Sequence, residues 1–117
     1  MSEAPTSPSA TLLGREIVSR NAETGEVVVR YLARADFFNR NGTVQGGMLA
    51  AMLDSATGLA LAGRVPQGAF AVTTRLDTRF LKPAAAGVVF GRARVVDGDE
   101  RNIRVEGELT NEAGEAI

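Results

Sequence analysis

The sequence contains no cysteine and no histidine among its 117 residues. Without cysteine there can be no disulfide, no thiolate nucleophile and no sulfur-ligated metal. Without histidine there can be no Ser-His-Asp triad, no histidine general base and no histidine-based zinc site. Any chemistry must therefore use a carboxylate, hydroxyls, amides, lysine, arginine or backbone dipoles, and no metal site is predicted.

Strong net charge, long apolar runs and nucleotide-binding motifs are also missing. The formal net charge of −1 gives no global electrostatic reason to expect nucleic acid or an anionic membrane as a partner. The apolar runs are too short and too interrupted to cross a bilayer, and the first residues lack the pattern of a signal peptide. No GxGxxG or P-loop pattern occurs. These absences predict a cytoplasmic protein that binds neither nucleic acid nor membrane.

The hydrophobic pattern predicts one α+β domain. Residues 1–10, rich in Ser, Pro and Ala, are expected to form a disordered or loosely attached tail, and residues 11–117 a single domain. Period-two alternation predicts strands at 15–21, 26–34, 69–81, 88–97 and 101–110, with the start of another at 115–117. Asp97-Gly98 predicts the turn of the last hairpin. One long helix at 47–62 interrupts the strands, so an antiparallel sheet of five to six strands with this helix across one face is expected.

The predicted helix is almost wholly apolar but carries one carboxylate, Asp54. A helix that is apolar all round is expected to be buried, and a buried aspartate is rare unless it is paired or functional. At about 100° per residue, Asp54 shares its face with small residues, which would admit a partner backbone or a ligand. This small face comprises Gly47, Ala50, Ala51, Thr57, Gly58 and Leu61. The opposite, bulky face should pack on the sheet and comprises Met48, Leu49, Met52, Leu53, Ala56 and Leu59. The alternative interpretation of Asp54 is a structural acid in a helix-packing groove.

A set of spaced residues surrounds the start of this helix. Asn39 precedes Gln45-Gly46-Gly47, Asp54 follows, and the later segment 73–84 contains Phe80-Leu81-Lys82-Pro83. In this order and spacing, the chain resembles the hotdog-fold acyl-CoA thioesterases, specifically the branch related to the phenylacetate-degradation thioesterase. The resemblance runs from about Leu13 to the end of the sequence. It implies the hotdog fold, an antiparallel sheet wrapped around one long central helix.

The resemblance implies hydrolysis of an acyl-CoA thioester to a free acid and coenzyme A. The Gly46 amide at the helix N-terminus would polarise the thioester carbonyl. Asp54 would act as general base for water or attack the carbonyl itself. Asn39 and Gln45 would add side-chain donors or orient the loop, and Thr73 would help hold the water or the acid. Gln45 replaces the family's usual histidine, and glutamine cannot carry a proton at neutral pH.

Coenzyme A enters only as part of the substrate, so no separate cofactor is expected. Its phosphates require a basic contact, for which Arg79, Lys82 and Arg101 are the candidates. The alternative for each of these cations is a solvated surface charge, which is common for exposed lysine and arginine. Gly47 and Thr74 complete the predicted substrate-binding set.

The spacing of Gly46 and Asp54 predicts an assembly. A separation of eight residues is ~12 Å along a helix, which is too far for both groups to contact one carbonyl from the same helix. If both act, they come from different subunits, and in the family the active sites lie at the dimer interface. We therefore expect an obligate homodimer, or a dimer of dimers.

Two other functions compete with hydrolysis. A non-catalytic hotdog module that binds acyl-CoA, or serves as a structural dimer, is supported by the glutamine at position 45. A hotdog hydratase or dehydratase is disfavoured because those enzymes generally use a histidine and the sequence has none. The last strand is expected to be short or missing compared with relatives.

Overall fold

The computed structural model describes residues 7–117 as one long α-helix packed across a four-stranded antiparallel sheet. In chain order the elements are α1 (Pro8–Leu12), β1 (Glu16–Arg20), β2 (Val27–Ala33), a 3-10 turn (Ala35–Phe37), α2 (Gly46–Ala62), β3 (Gly87–Gly98) and β4 (Ile103–Asn111). The strands are ordered β1-β2-β3-β4, and each is antiparallel to its neighbours. The predicted α+β class is confirmed. Among these residues, no helix combines the length and the apolarity needed to cross a membrane.

The core lies between α2 and the inner face of β2, β3 and β4. Every second residue of β2, from Val27 to Ala33, is buried, and α2 contributes Leu49, Met52, Ala56 and Ala60. Gly91 on β3 allows the closest approach, because a Cβ built there would lie 3.2 Å from both Ala56 Cβ and Tyr31 Cε2. Burying each large side chain of this layer contributes about 1.5–3 kcal/mol to folding. The packing of the bulky face of α2 on the sheet is therefore as predicted.

The opposite face of α2 is open within the described chain. Gly47, Ala51 and Gly58 are exposed, and Asp54 is only half-buried. The prediction that this helix is buried all round is therefore wrong for a single chain, because these positions stay open even though Thr73 bonds to Asp54 on the same face. A helix with so little polar surface on its open side is typical of a helix that packs against another protein surface.

Residues 69–81, predicted as a strand, form no part of the sheet, and we refer to them as the arm. The arm runs without a turn or bend, and its backbone joins the sheet region where Leu81 N donates to Ile117 O at 2.9 Å. Phe70 is 88% exposed and Val72 is 69% exposed. The described sheet thus has four strands, not five or six, because a strand needs a neighbouring backbone and, within the described residues, the arm bonds across to another segment's backbone only at its last residue, Leu81.

The end of the chain forms only a short contact with β4. Ala116 makes an isolated bridge to Thr110, and Ile117 N donates to Leu109 O at 3.0 Å. Residues 115–117 were predicted to begin a further strand, and this bridge is as much of it as the structure contains.

The structure differs from the predicted N-terminal tail only at residues 8–10, and it differs from the predicted position of the hairpin turn. Residues 1–6 of the tail lie outside the described residues, whereas Pro8–Leu12 is helical and Ala10 is buried. Ser7 caps this helix by accepting a hydrogen bond from Ala10 N. The β3–β4 turn lies two residues beyond Asp97-Gly98, at residues 99–102, because Asp99 Oδ1 accepts from two backbone amides there.

Tyr31 places an unpaired hydroxyl in the core. Its side chain is fully buried, and the hydroxyl lies near Ser55 but makes no hydrogen bond of ordinary length among residues 7–117. Arg15 Nη1 donates to Ser55 Oγ at 3.2 Å close by. Burial raises the pKa of Tyr31 above its ordinary value of 10.0, and the nearby Ser55 and Arg15 oppose that rise. A buried hydroxyl without a partner costs roughly 1–3 kcal/mol of stability.

We expect Tyr31→Phe to stabilise the fold by about 1 kcal/mol, because the ring is kept and only the unpaired hydroxyl is lost. The variant should also lose less stability in alkali. Unfolded tyrosine releases its proton near 10.0, whereas the native residue holds its proton to higher pH, so wild-type stability falls as pH rises above that value. Urea unfolding at neutral and alkaline pH measures both effects. A loss of stability in Tyr31→Phe at neutral pH would show instead that the hydroxyl is bonded.

Candidate active site

The loop before α2 is ordered by Asn39. Asn39 Oδ1 accepts from the backbone amides of Asn41 and Thr43 at 2.9 and 3.3 Å, and Asn39 Nδ2 donates to Thr43 Oγ1 at 3.0 Å. Gly42 closes the loop with φ of 78°, a left-handed conformation that glycine adopts at little cost. The Asn39 side chain is thus hydrogen-bonded within its own loop, and its role toward a substrate stays a prediction.

The N-terminus of α2 presents free amides. Neither the Gly46 nor the Gly47 amide donates a hydrogen bond within residues 7–117. The first amides of a helix lack intrahelical acceptors and carry partial positive charge. Gln45, the residue before the helix, is exposed and makes no capping bond with its side chain. The structure therefore offers two unused backbone donors at this point and no side chain that competes for them.

An open cavity of ≈ 350 Å³ adjoins Gly46. It lies between the Asn39 loop, the start of α2 and the segment after the arm, and its lining residues are Asn39, Thr43, Val44, Gly46, Leu49, Phe80, Leu81, Lys82, Pro83 and Ala84. The Phe80 ring lies 3.4 Å from the position of a Gly46 Cβ. Apolar walls with a few convergent polar groups are typical of a small-molecule site.

Asp54 and Thr73 are hydrogen-bonded to each other. Thr73 Oγ1 donates to Asp54 Oδ1 at 2.7 Å, across 19 residues of sequence. Asp54 Oδ2 has no hydrogen-bond partner within the described residues. The neighbouring Thr57 hydroxyl is occupied elsewhere, because it donates to the backbone oxygens of Leu53 and Asp54. The structure therefore brings the two predicted residues together and leaves one carboxylate oxygen available.

Gly46 and Asp54 lie on one uninterrupted helix, Gly46–Ala62. Their separation along its axis is ~12 Å at ~1.5 Å per residue. One chain thus carries two separate groups of predicted site residues. Gly46 lies with Asn39 beside the cavity, and Asp54 lies with Thr73 on the open face of α2.

The predicted cations differ in their surroundings. Lys82 lines the cavity and forms an ion pair with Glu115, with Nζ 2.7 Å from Oε2. Hydrogen bonds from Lys82 and then Asn111 hold the pKa of Glu115 below its ordinary value. Arg79 is exposed on the arm, and Arg101 is exposed in the β3–β4 turn. Neither of these arginines lines the cavity.

Two residues that make contacts at the site, Phe80 and Glu115, were not among the predicted site residues. Phe80 packs beside Gly46, and its place in the Phe-Leu-Lys-Pro segment was the available signal. Glu115 holds Lys82 from 33 residues away, and no local pattern marks such a pair. Two further predicted residues, Gly47 and Thr74, are exposed. No cluster of three or more potential metal ligands occurs in residues 7–117.

Comparison with known proteins identifies the family. The model of the thioesterase superfamily matches residues 41–117. A phenylacetic acid degradation-related protein of Ralstonia eutropha JMP134 is 38% identical, with a TM-score of 0.92 over 97% of this chain and 86% of that one. No curated protein sequence matches the chain.

Two further solved structures come from the same group. A mutant of the phenylacetic acid degradation protein PaaI of Thermus thermophilus is 34% identical, with a TM-score of 0.77 over 95% of this chain and 91% of that one. The Escherichia coli PaaI protein, from the phenylacetic acid degradation operon, is 26% identical, with a TM-score of 0.83 over 95% and 78%. Together with the helix and sheet described above, these similarities confirm the predicted hotdog fold. The chain therefore belongs to the thioesterase superfamily, in the branch of the phenylacetic acid degradation-related proteins.

Proposed function

We propose that this thioesterase-family chain hydrolyses an acyl-CoA thioester to a free acid and coenzyme A. The observation that carries the proposal is the 2.7 Å hydrogen bond from Thr73 to Asp54. It holds a half-buried carboxylate in one orientation on a helix whose N-terminus offers free amides. A carboxylate and a preorganised pair of amides are the parts that hydrolysis without histidine or cysteine requires.

In the proposed reaction, Asp54 acts through its free oxygen. As general base, Oδ2 takes a proton from water while the water oxygen bonds to the thioester carbon. The carbonyl oxygen becomes negative and is stabilised by the Gly46 amide. The intermediate collapses by breaking the carbon–sulfur bond, and the departing thiolate takes up the proton. Direct attack by Asp54, giving an anhydride that water then opens, uses the same groups.

The two groups of site residues are proposed to meet between two chains. The open face of α2 and the apolar side chains of the arm provide a surface for a second copy, because contiguous exposed apolar residues mark association sites. Antiparallel apposition of two α2 helices would bring Asp54 of one chain toward Gly46 of the other. The assembly is then a homodimer, or a dimer of dimers, with sites shared between subunits. Coenzyme A phosphates would contact Lys82, Arg79 or Arg101 at the rim.

Thiol release from short, medium, long and aryl acyl-CoA substrates tests the proposal. We expect turnover on at least one member of the panel. The competing function is a non-catalytic module that binds acyl-CoA, and the observation that favours it is the exposed Gln45, which has no capping bond and no ionisable proton. Binding of acyl-CoA without turnover on any member of the panel would establish that alternative.

Thr73→Val is expected to lower turnover roughly 10- to 150-fold, since a hydrogen bond to a charged group contributes roughly 1.5–3 kcal/mol. Steady-state kinetics on the best substrate measure the loss, which should appear in kcat with little change in melting temperature because position 73 is exposed. Thr110→Val, on β4, is the matched control and should behave as wild type. Full turnover in Thr73→Val would remove the Thr73–Asp54 bond from the mechanism.

A mixing experiment tests the shared site. Asp54→Asn and Gly46→Pro chains, each inactive alone, are unfolded together and refolded as mixed dimers. Each mixed dimer then contains one site with an intact Asp54 from one chain and an intact Gly46 from the other. We expect activity to reappear on mixing. Mixed dimers that form, as seen by native mass spectrometry, yet stay inactive would exclude a site that combines Asp54 of one chain with Gly46 of the other.

A further inference from the structure

Three polar side chains, Arg15, Tyr31 and Ser55, converge between α2 and the pair of strands β1 and β2, and we refer to them as the donor cluster. Arg15 Nη1 donates to Ser55 Oγ at 3.2 Å. Burial raises the pKa of Tyr31, and the nearby Ser55 hydroxyl and Arg15 charge both oppose that rise. The donor cluster therefore joins the start of β1 to the middle of β2 and the middle of α2.

The register of β1 and β2 explains why these side chains meet. Glu16 is opposite Arg30, so the next residues of the same register, Arg15 and Tyr31, are opposite each other. Residues directly opposite on an antiparallel pair have Cβ atoms about 4.5–5.5 Å apart and share a face. Because the Tyr31 side chain is fully buried on the inner face, the Arg15 side chain is directed inward as well.

The donor cluster has more hydrogen-bond donors than acceptors. Arginine carries several N–H donors and no acceptor, and each hydroxyl adds one donor. Ser55 accepts from Arg15 but donates to no acceptor among residues 7–117, and the Tyr31 hydroxyl makes no hydrogen bond of ordinary length there.

The charge in the donor cluster is also uncompensated. Arg15 is only partly exposed, and it forms no ion pair within the described part of the chain. A partly buried cation without a counter-charge, beside a fully buried hydroxyl without a partner, is unfavourable on both counts. One negatively charged acceptor between these side chains would remove both costs.

We propose that the donor cluster binds a small monovalent anion of about the size of chloride. Arg15 supplies the opposite charge, and the hydroxyls of Tyr31 and Ser55 donate to the ion. Water carries no charge, so a water molecule in the same place would leave Arg15 unbalanced. The bound ion would connect β1 and β2 to α2 at the residue that follows Asp54. This inference does not depend on thioester hydrolysis.

Urea unfolding in sodium chloride and in sodium gluconate, at equal ionic strength, tests the proposal. Gluconate is too large to reach a fully buried hydroxyl. At a chloride concentration about ten times Kd, we expect the equilibrium constant for unfolding to fall roughly tenfold. Tyr31→Phe should weaken chloride binding roughly 10- to 150-fold, because it removes a hydrogen bond to a charged group. The gain in stability expected above for Tyr31→Phe should thus appear in gluconate and be reduced or reversed in chloride.

Arg20→Gln is the matched control for Arg15→Gln. Arg20 also lies on β1 and also donates from Nη1 to α2, to Leu59 O at 3.3 Å. It is exposed, however, and is opposite Val27. Arg20→Gln should keep the full chloride effect, whereas Arg15→Gln should lose it. Because each variant is compared with itself in two salts, a lower starting stability does not affect the comparison.

Anomalous diffraction from crystals soaked in bromide locates the ion. We expect a peak in hydrogen-bonding contact with Arg15, Tyr31 and Ser55. Equal stability of the wild-type chain in the two salts, or an undiminished chloride effect in Tyr31→Phe, would overturn the proposal. A bromide peak without a chloride effect on stability would indicate an adventitious ion only and would overturn it too, as would a carboxylate of a second copy bound to Arg15 in place of the ion.

Discussion

Asp54→Asn is expected to lower thioester hydrolysis by roughly 100- to 10,000-fold, the usual contribution of a general base. Asparagine keeps the shape of the side chain and an oxygen that can accept from Thr73. Its amide nitrogen replaces the free Oδ2 and can neither take up a proton nor attack a carbonyl. The loss should therefore appear in kcat, measured by thiol release, while binding of a non-hydrolysable acyl-CoA analogue stays within a few fold.

The matched control is Asp36→Asn. Asp36 is exposed and forms an ion pair with Arg34, with Arg34 Nε 3.2 Å from Oδ1, and it lies outside both groups of site residues. Removing this surface charge is expected to cost at most about 1 kcal/mol and to leave turnover unchanged. Undiminished hydrolysis by Asp54→Asn would exclude Asp54 as base or nucleophile, and circular dichroism of both variants verifies the fold.

Gly46→Pro is expected to lower kcat roughly 100- to 1,000-fold, as is usual when an oxyanion donor is lost. Proline removes the amide hydrogen, yet the backbone tolerates it here. Gly46 is the first residue of α2, a position that proline favours. Gln45 has ψ of 132°, in the extended range that a residue before proline adopts. The Gly46 amide has no hydrogen bond to lose within the described residues.

Gly46→Ala isolates the amide from the added bulk. Alanine keeps the donor and places a Cβ 3.4 Å from the Phe80 ring, an ordinary van der Waals contact. We expect this variant to retain most of the wild-type kcat and to be at least as stable, because alanine is the better helix former. Equal losses in the proline and alanine variants would mean that crowding against Phe80, and not the missing hydrogen, causes the effect.

Much of the fold could be predicted from side-chain periodicity. The apolar run between Gly46 and Gly63 located α2 to within one residue, and the alternation from Val27 to Ala33 identified the buried face of β2. The arm shows the limit of that information. Its alternation is as regular as that of β2. Alternation indicates which side chains of a segment share a face, but it does not indicate which other backbone segment pairs with that segment. A strand whose partner lies outside the described chain looks the same in sequence as one whose partner lies within it.

The contacts at the candidate site were likewise predicted only in part from the sequence. The pairing of Asp54 with Thr73 was expected because a spaced set of residues resembled a family. The ion pair of Lys82 with Glu115 depends on the end of the chain folding back along β4, which short-range patterns do not encode. The unpaired hydroxyl of Tyr31 could not be predicted either. Alternation indicates that the side chain is buried, but it does not indicate whether the hydroxyl finds a hydrogen-bond partner.

The arm carries Arg75 and Arg79 on a stretch that is exposed and unpaired in the described chain. Exposed segments without a backbone partner are preferred sites of proteolytic nicking, and trypsin cleaves after arginine. An isolated chain would be cut here, whereas a chain whose arm is covered by another copy would resist digestion. For the proposed dimer, the rate of tryptic cleavage at these two arginines would report the assembled fraction at any protein concentration, without a substrate and without an intact Asp54.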